Sequence, residues 1–285
     1  MDPLVSGVLV KAATNAGSEG AKTTSGLLTR ALGPSADVLG KALAQYTEFR
    51  LRNVGKIVGR SEKKARESGR SGSVHPRVAH RVIEEGSFCD DSIMADYLGG
   101  VLAGSRTPSG RDDRAVVWSD LVTGLSAAQI RLHYLLYREW AIRLHGRIDL
   151  NLGTAVDRRR AVMNADLDEV TSALRVEEDD REPGGLFVHA VIGLVRADLL
   201  DHEYAYGPRG PNNNPDAPYT YFLAVQPSPA GIELYGWAQG LPGLMPMPFV
   251  SEALPFDVDP PLPHLHTFML PRLPEGDAAS GATAS

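Results

Sequence analysis

The chain has 285 residues, with a hydrophobic fraction of 43%, a charged fraction of 22% and a formal net charge of −6. This is the composition of an ordinary globular protein that can bury a sizeable core. The single cysteine, Cys89, excludes an intrachain disulfide and favours a reducing compartment. Because runs of about 18 uncharged apolar residues are absent, the sequence argues against a transmembrane protein. We expect a cytoplasmic protein and leave peripheral membrane association open.

The charges are unevenly spread. Residues 1–164 carry 24 Lys and Arg against 17 Asp and Glu, a balance of +7, whereas residues 165–240 carry 4 against 13, a balance of −9. Charge and composition together predict four regions. They are a helical region with a basic helix (1–73), a helical core (74–164), an acidic module (165–240) and a Pro-rich tail (241–285).

Helical spacing of apolar residues characterises the first two regions. Leu43 and Tyr46 belong to an amphipathic pattern that weakens towards a Ser- and Gly-rich linker at 68–73. Pro76 suits the first turn of a helix, and a further helix is predicted to begin near Ser87–Asp90.

The helix predicted over 127–145 has the strongest pattern. Ser126 and Gln129 form a capping box in front of it. On this helix we expect His133 and His145 to lie at the surface or rim. Three aromatic residues either fill the core of the monomer or form a homodimer surface: Tyr134, Tyr137 and Trp140.

The acidic module mixes helices with extended segments. Its elements are predicted as a helix near 165–176, an apolar segment over 186–192 stopped by Gly193, extended stretches over 199–206 and 219–225 around a loop at 207–218, and a helix over 230–238 started by Ser228 and Pro229. This order is the outline of a winged-helix-like module. The predicted fold class is therefore mainly α: a helical N-terminal bundle, then a winged-helix-like α+β module, then a Pro-rich, extended and partly disordered tail.

Motifs of catalysis and of metal binding are missing from the sequence. A Gly-x-Ser-x-Gly elbow does not occur, and no segment fits a phosphate-binding loop. His264 and His266 place two imidazoles on one side of an extended chain, but no further ligands complete a metal site. We expect no catalytic residues, cofactor or metal, and hence a protein that is not an enzyme. A site formed by residues distant in sequence stays open.

A basic stretch at 50–70 is the first candidate binding surface. Two acids, Glu62 and Glu67, accompany its eight cations, which are Arg50, Arg52, Lys56, Arg60, Lys63, Lys64, Arg66 and Arg70. Such a helix can be a solvated face, or dock on an acidic surface of its own or a neighbouring chain, with 165–240 as one source of that surface. It can also follow nucleic-acid phosphates or an anionic membrane.

The loop at 207–218 is the second candidate surface. The acidic balance of its module argues against DNA binding, which depends on neutralising phosphates. We therefore expect the module to be a protein-contact or packing element. The candidate contact residues in this loop are Arg209, Asn212, Asn213 and Asn214.

An ordered series of short motifs resembles the Abi-alpha (abortive infection alpha) family, a bacterial domain of unknown function. The series comprises LLTRALGPSADVLG at 27–40, FRLRNVGKI at 49–57, VHPRV at 74–78, DDSIMADYLGGVLA at 90–103, LSAAQ at 125–129, IGLV at 192–195 and SPAGIELY at 228–235. The long loop at 207–218 and the Pro-rich tail depart from the family pattern.

The resemblance implies a role in phage defence by arrest or death of the infected cell. The family offers no agreed catalytic residues, so none is assigned here. The expected function is that of an antiviral defence protein acting as a sensor or scaffold through contacts with a host or phage protein, and as a homo-oligomer if the long helix is the dimer surface. The alternatives are a nucleic-acid-binding regulator and a peripheral membrane effector, each using the basic stretch.

Overall fold

A computed structural model describes residues 34–174, 183–209, 220–254, 258 and 260–269. The chain forms two compact units, 1–52 and 53–285, and the boundaries predicted after 73, 164 and 240 all fall inside the second. The described helices are α1 (Pro34–Glu67), α2 (Pro76–Gly86), α3 (Ser92–Gly104), α4 (Ala115–Gly124), α5 (Ala127–Leu144), α6 (Ala155–Arg160), α7 (Leu167–Leu174), α8 (Pro183–Arg196), α9 (Pro229–Ala238) and α10 (Pro246–Ser251). The strands are β1 (Met163–Asp166), β2 (Ala205–Arg209), β3 (Thr220–Val225) and β4 (Thr267–Met269). The mainly α fold class is confirmed.

Local capping chemistry sets several helix starts. The Ser126 hydroxyl accepts from the Gln129 N–H while the Gln129 side chain accepts from the Ser126 N–H, so the predicted capping box is present. Pro76 stands in the first turn of α2, and Ser228 caps α9. The helix predicted to begin near Ser87–Asp90 instead begins at Ser92, because Asp91 Oδ1 accepts from the N–H groups of the two residues that follow Ser92.

One antiparallel sheet, in the order β2-β3-β1-β4, lies within the second unit. Central strand β1 pairs with β3, Met163 opposite Val225, and with β4 on its other side. Because β4 comes from the Pro-rich tail, residues 267–269 complete the sheet edge next to β1. Within the tail, residues 255–257, 259 and 270–285 lie outside the described residues.

The structure corrects two predictions in the acidic module. Gly193 does not stop the apolar segment at 186–192, which belongs to α8 and continues to Arg196. A Cβ on Gly193 would lie 1.8 Å from Gln129 Nε2, so a larger residue would displace the Gln129 side chain, and glycine serves the close approach of α5 and α8 rather than a turn. The first extended stretch also forms later than predicted, as β2 over Ala205–Arg209.

The core of the second unit is built around α3 and α5. Twelve of the thirteen residues of α3 are buried. On α5 the three aromatic residues are fully buried, and the Tyr137 ring meets Trp140 edge-on at 5.0 Å between centroids. Their burial makes the homodimer prediction wrong for these side chains, which fill the monomer's own core. Full burial of such side chains stabilises the fold by about 1.5–3 kcal/mol each.

Candidate functional site

The eight cations of the basic stretch do not share one face: seven lie on different sides of α1, and Arg70 follows the end of the helix at Glu67. Three are exposed, four are half-buried and one is buried: Arg52, Lys56 and Arg66; Arg50, Arg60, Lys63 and Arg70; and Lys64, respectively. The α-helical period explains the split. Ile57, Ser61 and Lys64 fall at i, i+4 and i+7, and all three are buried.

Lys64 is a buried lysine that ties three segments together. Its ammonium group donates to the Ala238 carbonyl at 2.7 Å and to the Asp96 carbonyl at 3.2 Å, and it lies 3.3 Å from Asp96 Oδ1. Arg60 Nε lies 3.7 Å from the same carboxylate. The carboxylate that pairs with Lys64 is therefore that of Asp96 on α3, while docking of the basic stretch on an acidic surface at 165–240 stays a prediction. Lys64 is withdrawn from any contact with an external phosphate.

A cavity of about 450 Å³ lies beside this ion pair. Its wall includes Arg60, Lys64, Asp96, Gln239 and Leu254, and its volume is within the range of small-ligand sites, about 300–1,000 Å³. Because its most buried cation is already paired with a carboxylate of the same wall, the cavity is lined by an internal ion-pair network.

Sequence reasoning missed the pairing of Lys64 with Asp96. A signal was present, since Asp96 is the one charged residue within the otherwise apolar sequence of α3. A carboxylate on a helix buried on all sides requires a cation or several hydrogen-bond donors.

The second candidate surface falls largely outside the described residues. Arg209 ends β2, opposite Thr220 on β3, which places it at the mouth of the predicted loop. Asn212, Asn213 and Asn214 lie outside the described residues, so their role as partner contacts stays a prediction.

His133 was predicted at the surface or rim, and this is wrong. Its imidazole is fully buried, 2.7 Å from the Tyr97 hydroxyl through Nδ1 and 3.1 Å from the Gly231 carbonyl through Nε2. A carbonyl only accepts, so Nε2 carries the proton and Nδ1 accepts from Tyr97. Burial lowers the pKa of His133 from 6.5 to about 3, against the opposing effect of the bond to Gly231.

The buried imidazole predicts a pH dependence of stability. Because the folded pKa lies below the unfolded one, the unfolded chain binds the extra proton, and stability is lost as pH falls from 6.5 towards 3. We expect His133 to lower the free energy of unfolding by about 2–3 kcal/mol when the pH falls from 6.5 to 4.5. Urea unfolding of the wild type and of His133→Gln at both pH values isolates the effect, since the remaining groups titrate in both proteins. Equal pH slopes in the two proteins would contradict it.

The tail histidines bind carboxylates in the structure. His264 Nδ1 lies 2.9 Å from Glu139 Oε1, and His266 Nδ1 lies 2.8 Å from Glu169 Oε1. Each imidazole thus has its own carboxylate. Within the described ranges no group of three or more His, Cys, Asp or Glu side chains could hold a metal ion.

A serine and a histidine far apart in sequence meet between α5 and α8. Ser126 Oγ lies 3.1 Å from His189 Nε2, and the two residues are 63 positions apart. Both side chains line a pocket of about 500 Å³ that also includes Asp120 and Arg196. Sequence reasoning recognised Ser126 as a helix cap, but no local signal links it to His189.

Comparison of the chain with protein-family models, curated proteins and solved structures gave no significant match. Among the helices in the described part of the chain, none combines the length and apolarity needed to cross a membrane.

Proposed function

We propose that this chain is an antiviral (phage) defence protein of the abortive-infection type that acts by protein contact, as a sensor or scaffold. The motif series that resembles the Abi-alpha family supports the biological role. One structural observation supports the mode of action, namely an exposed apolar face over residues 43–51 of α1.

The exposed face lies within the first compact unit. Leu43, Tyr46 and Leu51 are 40%, 47% and 67% exposed. At 3.6 residues per turn they fall within about 140° of the helix circumference. An apolar stripe of this kind on a helix is the surface that a partner helix or groove covers. Arg50 lies within this arc, with its guanidinium 5.8 Å from the centroid of the Tyr46 ring, so a partner surface that combines acidic and apolar groups would complement the face.

Two features favour a protein partner over nucleic acid. The cations of α1 are divided between solvent and interior, with Lys64 buried against Asp96, which reduces the number available to neutralise phosphates. The region 165–240 has a balance of 4 basic against 13 acidic residues, which opposes docking on a polyanion.

The proposed architecture keeps the winged-helix-like module and the helical bundle before it. In the module, β1 is followed by α7 and α8 and then by β2 and β3, with β3 between β2 and β1. This is the strand order typical of winged helices. Helices α2, α3 and α4 contact one another, and α3 contacts α5, which supports the bundle. We assign the loop at 207–218 as a further contact surface of this module.

The test compares Leu51→Glu with Val117→Glu, since the two apolar residues are 67% and 68% exposed. Each tagged protein is expressed in bacteria that are challenged with phage, and plaques are counted. In a second measurement, the tagged protein is pulled down before and after infection at two salt concentrations, and the material bound to it is identified. We expect Leu51→Glu to lose both protection and an infection-dependent partner that survives high salt, while Val117→Glu keeps both.

Two results would contradict the proposal. Recovery of nucleic acid or lipid that washes off with salt would identify the basic stretch as an electrostatic binding surface instead. Equal protection by wild type and Leu51→Glu would show that the exposed face of α1 is not the contact.

A further inference from the structure

The pair formed by Ser126 and His189 has the geometry of a nucleophile and its base. Their separation of 3.1 Å between Oγ and Nε2 lies within hydrogen-bond reach. Both residues are exposed, and both line the pocket of about 500 Å³ between the end of α4, the start of α5 and α8. A substrate therefore has access to the hydroxyl oxygen.

The capping box determines where the hydroxyl proton points. The Gln129 N–H donates to Ser126 Oγ at 3.3 Å, and the Ser126 N–H donates to Gln129 Oε1 at 2.8 Å. With one lone pair of Oγ occupied by this backbone donor, the hydroxyl proton can be directed at His189 Nε2. The imidazole accepts it when its own proton is on Nδ1. A serine hydroxyl that donates to an imidazole is the arrangement that activates serine for attack on a carbonyl.

The same helix end can stabilise negative charge. Ser126 is the N-cap of the 18-residue helix α5, and the first N–H groups of a helix lack intrahelical acceptors. Those of Ala127 and Ala128 directly follow the nucleophile and lie at the positive end of the helix dipole. Donors in this position can stabilise the oxyanion of a tetrahedral intermediate.

We propose that Ser126 is the nucleophile of an acyl-transfer site with His189 as general base, acting on small esters. Oγ bonds to the ester carbonyl carbon while its proton passes to Nε2. The bond to the leaving alcohol then breaks, and the alcohol oxygen takes that proton. Water repeats the sequence on the acyl-serine, releasing the carboxylic acid and restoring the Ser126 hydroxyl.

Missing orientation of the base slows both halves of this cycle. Among the described residues no carboxylate contacts His189, so its imidazole lacks the third group of a full triad. With an activated ester whose leaving group departs readily, acylation is the faster half, so we expect the acyl-serine to accumulate. The site is built from residues of α5 and α8 and uses none of the residues of the exposed face of α1, so its test is independent of the proposed contact function.

The experiment treats the full-length protein with a fluorophosphonate probe and maps the adduct by mass spectrometry, with the p-nitrophenolate burst from p-nitrophenyl acetate as a second readout. Ser126→Asp keeps a good N-cap but has no nucleophile. His189→Gln removes the base and leaves the capping box intact. Ser251→Ala is the matched control, because Ser251 is exposed and donates to the Met247 carbonyl.

We expect wild type and Ser251→Ala to be labelled on Ser126 and to show a burst. Ser126→Asp should show neither, and His189→Gln should react at least about 100-fold more slowly, the contribution of a general base. Absence of label in the wild type, label elsewhere that persists in Ser126→Asp, or equal labelling of Ser126 in His189→Gln would each overturn the proposal. Circular dichroism of each variant separates loss of the nucleophile from loss of the fold.

Discussion

Replacing Lys64 with alanine is expected to destabilise the second unit by about 3–5 kcal/mol, the cost of removing one partner of a buried ion pair. The Lys64 and Asp96 side chains are 5% and 2% exposed. Without the ammonium group, the carboxylate loses its nearest cation and the Ala238 carbonyl loses its donor at 2.7 Å. The measurement is the midpoint and slope of urea unfolding followed by circular dichroism.

The control for this experiment is Lys56→Ala on the same helix. Lys56 is exposed and donates only a weak bond, at 3.3 Å, to the Asp90 carbonyl, so we expect a change within about 0.5 kcal/mol. The double variant Lys64→Met/Asp96→Leu should be more stable than Lys64→Ala, because it removes both charges from the interior. Equal effects of Lys64→Ala and Lys56→Ala would refute the assignment of a buried ion pair.

Replacing Glu139 with alanine is expected to loosen the C-terminal segment and to destabilise the fold by about 3–5 kcal/mol. Glu139 Oε1 accepts from Arg138 Nη2 at 3.1 Å, from His264 Nδ1 at 2.9 Å and from the Leu265 N–H at 3.4 Å. Both Arg138 and Glu139 are 3% exposed. Loss of the carboxylate therefore leaves a buried guanidinium without a paired anion, held by carbonyl groups of the tail and by the face of the Tyr134 ring.

The second carboxylate–histidine pair of the tail supplies the matched control. The side chains of His266 and Glu169 are 93% and 39% exposed, and exposed pairs contribute about 0–1 kcal/mol. Hydrogen exchange over 262–268 should therefore accelerate strongly in Glu139→Ala and only slightly in Glu169→Ala. Unchanged exchange in Glu139→Ala would show that the segment is held by β4 pairing and Leu265 packing alone.

The candidate site residues differ in whether the sequence could have predicted their burial. The burial of Lys64 could have been predicted, because it lies on the same side of the helix as Ile57. Its partner could also have been suspected, because Asp96 is the one charged residue in an otherwise apolar helix. The burial of His133 could not be predicted from the sequence, because its partners Tyr97 and Gly231 lie 36 and 98 positions away. A polar residue on an amphipathic helix looks the same in sequence whether it faces solvent or a buried hydroxyl.

The sequence by itself determined the features whose partners lie within about four residues. The mainly α class, the capping box of α5, Pro76 in α2 and the Ser228 cap of α9 all depend on local hydrogen bonds and fixed backbone angles. Tertiary structure alone decided the role of Gly193, the addition of β4 to the sheet and the meeting of Ser126 with His189. Each depends on close approach of segments that are far apart in the chain, and packing, rather than local propensity, selects which of them come into contact.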